Sequence, residues 1–225
     1  MPMKESERIF DKHKHTLVSP GSGILNQVAE PIEINQISSQ EIQQLVDSML
    51  RIASSEQGNM KRRTMVGLAA PQLGISKRII IVDTASTGMG EIPGLCVYIN
   101  PAITSKSKQL EQGREGCFST GSVCGIVNRS SKVVVSAYNR QGELISEVWT
   151  GFTARIFQHE IDHLDGVRFP DRITDASKLH WVEPDRFGEY RTKWAEWQEL
   201  CPPERWEMIR GENNKRKKAV ERLIT

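Results

Sequence analysis

Gln158-His159-Glu160-Ile161-Asp162-His163-Leu164-Asp165-Gly166 is the stretch around which the rest of the chain can be read. In a helix, His159 and His163 stand four residues apart and project from one face, so both rings can bind the same metal ion. Glu160 falls between them. Two imidazoles on a divalent metal, with a carboxylate beside the reacting water, is an arrangement suited to metal-assisted hydrolysis. The run leading in, residues 150–158, places Phe152, Ile156, His159 and His163 at i, i+4, i+7 and i+11, so the histidines continue an apolar, buried stripe. A buried imidazole needs a partner for each nitrogen, and a metal on one with a hydrogen-bond acceptor on the other meets that need. Catalytic sites of this kind use three protein ligands and keep one position for water, so a third ligand must come from elsewhere.

The totals set the frame for that search. A length of 225 residues fits one domain with extensions, and 38% hydrophobic against 26% charged residues is enough for a globular core. No apolar run approaches the roughly 20 residues of a membrane span. The opening residues lack the apolar stretch of a secretory signal, and Glu5, Glu7 and Asp11 argue against a transit peptide, so a cytoplasmic protein is expected. A formal charge of +2 makes no case for DNA. Cys96, Cys117, Cys124 and Cys201 are too scattered for the disulfide framework of a small secreted domain. Cys117, in the loop Glu115-Gly116-Cys117-Phe118-Ser119, is open to three readings: metal ligand, nucleophile or buried thiol.

Upstream, Ser38 with Glu41 three residues on reads as a capping box. Ile42, Leu45, Val46, Met49, Leu50 and Ala53 follow at amphipathic spacing and predict a scaffold helix ending by Gly58. The segment 64–74 is rich in small residues that admit a ligand close to the backbone, and Gln72 adds an amide able to donate to an oxygen. Strands are predicted at 78–83 and at 96–100, the latter halted by Pro101; residues 104–112 are polar and carry no element assignment. A hairpin is predicted from 132–138 and 143–149 about the turn Asn139-Arg140-Gln141-Gly142. Strands followed by a central helix suggest an α+β fold with mixed or antiparallel sheets around the metal-binding helix and a helical C-terminal extension.

Three segments in this order resemble the signature motifs of the peptide deformylases: Val66-Gly67-Leu68-Ala69-Ala70-Pro71-Gln72-Leu73-Gly74, Glu115 to Ser119, and Gln158 to Gly166. The resemblance runs from about Ile24 to about Ile173. It implies a polar N-terminal extension at 1–20, a deformylase-like catalytic domain at 21–175 and a tryptophan-containing, basic extension at 176–225. It also implies that Cys117, His159 and His163 hold one divalent metal, Fe(II) foremost with Zn(II), Ni(II) or Co(II) as alternatives, and water in the fourth position. By the same resemblance Glu160 serves as general base and acid, while Gln72 and the main-chain N–H of Phe118 hold the developing oxyanion. Val66, Gly67 and Gly116 are expected along the peptide, with Val66, Phe152, Ile156 and His159 about the methionine pocket, and Glu115 pairing with Arg129 behind the ligands. The implied substrates are N-formylmethionyl peptides of nascent chains, with formate released.

The sequence departs from the motifs at Met65, in place of a glycine, at Phe118, in place of leucine, and at Thr120-Gly121, in place of an aliphatic-proline pair. Those departures motivate an alternative hydrolase acting on another N-acyl group. From Pro203 onward seven basic residues face four acidic ones, including Lys215-Arg216-Lys217-Lys218, a tail suited to a ribosomal RNA surface. The tail motivates the other alternative, a non-catalytic ribosome- or peptide-binding homologue.

Overall fold

The computed structural model describes residues 16–54, 65–86 and 94–211. Helix α1 runs Gln40–Ala53 and is capped by Ser39, whose hydroxyl accepts the Ile42 N–H at 3.3 Å. The predicted cap at Ser38 is therefore one residue early. A 3-10 turn at Ile34–Gln36 precedes it, the Ser39 N–H closes on Gln36 O at 2.9 Å, and the first helical bond runs from Gln43 N–H to Ser39 O. Ser38 thus belongs to the turn and Ser39 is the boundary residue.

In chain order the strands are β1 (Gly67–Ala69), β2 (Ile79–Asp83), β3 (Leu95–Lys106), β4 (Leu110–Gly116), β5 (Val123–Ser130), β6 (Lys132–Tyr138) and β7 (Leu144–Thr150). Helix α2 (Gly151–Leu164) follows, then β8 (Leu179–Trp181), α3 (Phe187–Lys193) and α4 (Pro203–Arg210). Among the described residues the strands form two antiparallel sheets, one in the order β1-β2-β3-β6-β7 and one in the order β4-β5-β8.

Strand β2 shows how the layers assemble. Ile79 and Ile81 join the cluster made with Leu45, Val46 and Met49 of α1. Ile80 and Val82 join the cluster made with Ile156, Phe157, Ile161 and Leu164 of α2. Successive side chains of a strand point to opposite faces, so the larger sheet is covered on one face by α1 and on the other by α2. That is why β2 reads as a continuous apolar run and not as an alternation.

The expected end of one strand is corrected, and one strand goes beyond what was expected. Pro101 does not end β3, which continues to Lys106 through a bulge where its register on β6 shifts between Ile99 and Ala102. Asn100 takes φ +50° there, and its side-chain amide bonds both Ile32 N–H and Ile32 O, at 2.8 and 2.6 Å. A proline missing its N–H is tolerated at such a bulge. The polar stretch 104–112, which carried no assignment, spans the end of β3 and the start of β4, where most side chains face solvent and leave no apolar alternation to read.

The C-terminal part is joined to the smaller sheet. Strand β8 pairs with β5 through Val123–Trp181, Cys124–His180 and Gly125–Leu179. Trp206 of α4 packs with Val123, Leu179 and Cys201, and Trp197 packs with Cys124, Val182 and Tyr190. No helix among the described residues is long and apolar enough to cross a membrane.

Candidate metal centre

Three segments converge on one point. Strand β4 ends at Gly116 and delivers Cys117 in extended conformation, after which the chain turns through Phe118–Thr120. The Thr120 hydroxyl and N–H both donate to Cys117 O, at 2.8 and 3.0 Å, and fix that turn. Helix α2 supplies His159 and His163. The side-chain donor atoms of Cys117, His159 and His163 lie within 4.8 Å of one another, with Sγ 3.4 Å from His163 Nε2.

The turn after β1 supplies Gln72. Its Oε1 accepts the Ala69 N–H at 2.8 Å, which orients Nε2 toward Cys117 Sγ at 3.3 Å and Ser119 Oγ at 3.2 Å. Glu160 is buried, and its Oε2 has no hydrogen-bond partner among the described residues. Strand β1 passes against it: a Cβ added at Gly67 would sit 2.3 Å from Glu160 Oε1. Glycine at 67 is therefore what permits the carboxylate to stand where it does.

The environment sorts the two carboxylates near the histidines. Burial pushes Glu160 up to about 7, with the nearby His159 charge opposing and the Glu115 charge reinforcing it. Glu115 is also buried, but hydrogen bonds from Arg129 and His159 and their charges outweigh that burial and hold it well below the usual carboxylate range. One site thus contains a carboxyl poised to exchange a proton and another kept ionised. For His163, burial and then the charges of His159, Arg168 and Arg129 favour the neutral ring, whose lone pair suits a metal.

Glu115 is the hub behind the candidate ligands. It accepts two bonds from Arg129, each 2.9 Å, one from Arg155 at 2.8 Å, and lies 2.9 Å from His159 Nδ1. Nδ1 is thereby engaged and Nε2 of His159 is left for an ion. Arg129 also reaches Asp162 at 2.5 Å, and Asp162 takes Arg172. The residues fit a dication: one sulfur, two imidazoles, a carboxylate orienting one of them, and an unpartnered acceptor on Glu160 alongside.

The remaining expected residues fall on the same segments. Gly116 pairs with Cys124 at the end of β4, while Val66, just before β1, and Phe118, just after Cys117, expose their side chains. Ile156 is buried in the α2 cluster, against which the half-buried Phe152 packs. Met65 is half-buried against the α1 cluster, its N–H bonded to Ala53 O at 2.9 Å, and its backbone lies outside the positive-φ region. Sequence reasoning passed over Arg155, Asp162, Ser119 and Arg168. Arg155 and Asp162 carried a signal, since each interrupts the buried stretch of α2 and a buried charge requires a partner.

The chain is also similar to known proteins. Residues 14–179 match the family model described as Polypeptide deformylase. A peptide deformylase of Desulforudis audaxviator is 39% identical over 151 residues, covering 67% of this chain and 94% of that one. One from Halothermothrix orenii is 41% identical over 154 residues, covering 68% and 89%. Among solved structures, a Met-Ala-Ser-bound class I type b peptide deformylase from Acinetobacter baumannii superposes with TM-score 0.63 at 36% identity, over 70% of this chain and 97% of that one. The peptide deformylase from Thermotoga maritima gives TM-score 0.61 at 30% identity, over 72% and 99%. On matches that span most of this sequence and nearly all of those relatives, the chain belongs to the polypeptide deformylase family.

Proposed function

We propose that this protein removes the formyl group from the N-terminal methionine of newly made polypeptides, releasing formate. The observation that carries the reading is Glu160: a buried carboxyl with an unpartnered oxygen, next to a cluster of one thiol and two imidazoles. A divalent ion held by Cys117, His159 and His163 supplies polarisation of the formyl oxygen and acidification of the attacking water. Glu160 takes a proton from that water as its oxygen adds to the formyl carbon. The same carboxyl then gives a proton to the departing nitrogen as the C–N bond breaks, leaving formate and a free amine. Gln72 Nε2 and the Phe118 N–H donate to the oxygen on which negative charge develops.

In this reading Val66, whose side chain stands exposed, forms the methionine pocket with Phe152, Ile156 and His159, and the peptide main chain lies along Val66, Gly67 and Gly116. The Acinetobacter protein holds Met-Ala-Ser, which is what such a reaction would leave of its formylated form. Fe(II) is the ion we assign, with Zn(II), Ni(II) and Co(II) compatible with the same donors. Protein loaded anaerobically with Fe(II) should release formate from an N-formylmethionyl tripeptide. Glu160→Ala should lose at least about 100-fold in kcat while binding the metal normally. Metal-loaded wild type that releases no formate would end this reading.

Substrates of this kind place the protein in the compartment of protein synthesis, and we assign its basic tail to the ribosomal surface. Lys215 to Lys218 lie outside the described residues. Deleting 212–225, which spares the buried Trp206, should weaken co-sedimentation with ribosomes, most clearly at low salt. Equal co-sedimentation of both forms would remove the tail from this role.

A further inference from the structure

Arg168 is 1% exposed and is the largest of the fully buried side chains among the described residues. Its guanidinium donates to Ser119 O at 2.9 Å, to Pro20 O at 2.6 Å and to Asn26 Oδ1 at 2.8 Å. One of those acceptors belongs to the active-site turn. Ser119 follows Phe118, and its hydroxyl takes the Gln72 Nε2–H at 3.2 Å. Both oxyanion donors of the proposed reaction, Gln72 Nε2 and Phe118 N–H, are therefore tied to the residue whose carbonyl Arg168 holds.

What holds Arg168 lies in the C-terminal extension. Its guanidinium carbon stands 4.6 Å from the centroid of Trp206, on α4. Trp206 Nε1 donates to Asp171 Oδ1 at 2.9 Å, and Asp171 Oδ2 accepts the Arg168 backbone N–H at 2.9 Å. Arg210 of the same helix pairs with Asp171 at 2.5 Å, and its backbone carbonyl accepts from Asn26 at 3.2 Å. A guanidinium under an aromatic face, with its donors spread over separate carbonyls, is held in both plane and direction. Trp206 and Arg210 lie beyond the stretch that matches the family model, which ends at residue 179.

We propose that α4 is part of the active-site machinery of this chain. Trp206 and Arg168 act as positioning residues that hold the Cys117–Ser119 turn, so that Phe118 N–H and Gln72 Nε2 stay aimed at the oxyanion. This inference rests on the deformylase reading. Its prediction is a defect in the transition state and not in ground-state binding, because misaimed oxyanion donors lower kcat and leave KM nearly unchanged.

The test uses the full chain and two conservative variants. W206F keeps a ring face and loses the bond to Asp171; R168K keeps the charge and loses the planar fork that reaches Pro20 O and Ser119 O from one nitrogen and Asn26 Oδ1 from the other. In both, kcat for the formyl tripeptide should fall about tenfold with KM within about twofold, and metal content should stay at the wild-type level. In 15N-labelled, Zn-loaded protein the amide resonances of Phe118 and Ser119 should move in both variants. Unmoved amides, or kcat within about twofold of wild type in either folded variant, overturn the proposal; if R168K does not fold, W206F decides. A wild type that releases no formate would sink the deformylase reading, and the amide shifts would still decide whether Trp206 holds the turn.

Discussion

Glu160 has almost no room to be elsewhere. Burial raises its proton affinity, and β1 crosses so close that only a glycine fits opposite it. The two facts are linked: the same backbone approach that excludes water from the carboxyl places it beside the ligand cluster. Gly67→Ala should push the carboxylate aside and lower kcat by at least about tenfold, since small displacements of a catalytic group cost that much. Metal content should be unchanged, because Cys117, His159 and His163 take no support from Gly67. Equal metal content measured by atomic emission, with kcat at the wild-type level, would show that Glu160 has slack the structure does not suggest.

At the scale of elements, the site depends on one buried ionic network that ties β4, β5 and α2 together. Glu115 comes from β4, Arg129 from β5, and Arg155, His159 and Asp162 from α2. The strands could pair without it, but α2 would then bring its charges into the core unpaired, at a cost of several kcal/mol each. Glu115→Gln should weaken metal binding about 10- to 100-fold, as changes to a group that orients a ligating histidine do. It should also alter the pH dependence of stability. Because the folded protein holds Glu115 below its unfolded value of about 4.3, the stability from its charge is complete above that pH, declines as pH falls beneath it, and is gone below the folded value. In metal-free protein, the Tm gap between wild type and Glu115→Gln should therefore be widest near neutrality and narrow steadily between pH 5 and 3, as followed by circular dichroism. A gap that does not change with pH would mean that the variant loses packing and not charge.

For the whole molecule, the proposed ligands come from two separate segments, so an ion bound by both would favour the folded chain over the unfolded one. Chelation should lower Tm, by an amount equivalent to about 2.7 kcal/mol where free metal had stood at a hundred times its Kd, and Cys117→Ala should melt at the same temperature with or without chelator. Scanning calorimetry with and without EDTA reads both. Much of this architecture was legible in the chain. Helices α1 and α2 and the β6–β7 hairpin follow from the spacing of their apolar residues and from turn residues such as Asn139 and Gly142. His159, Glu160 and His163 sit within one helical turn, so spacing alone brings them together, and Cys117 and Gln72 joined them through the resemblance to the deformylase motifs. Strand β4 was missed because its exposed polar face leaves no pattern, and β3 was cut short because a bulge hides the cost of Pro101. Spacing along the chain by itself determined helices α1 and α2, the hairpin and the face that carries His159 and His163. Only the tertiary structure decided how the buried charges are satisfied: that Glu115 draws in Arg155 as well as Arg129, and that Arg168 holds Pro20 and Ser119 beneath Trp206. The reason is physical: a charge leaves water only where partners replace its hydration, and those partners arrive from distant parts of the chain through packing, which no local pattern encodes.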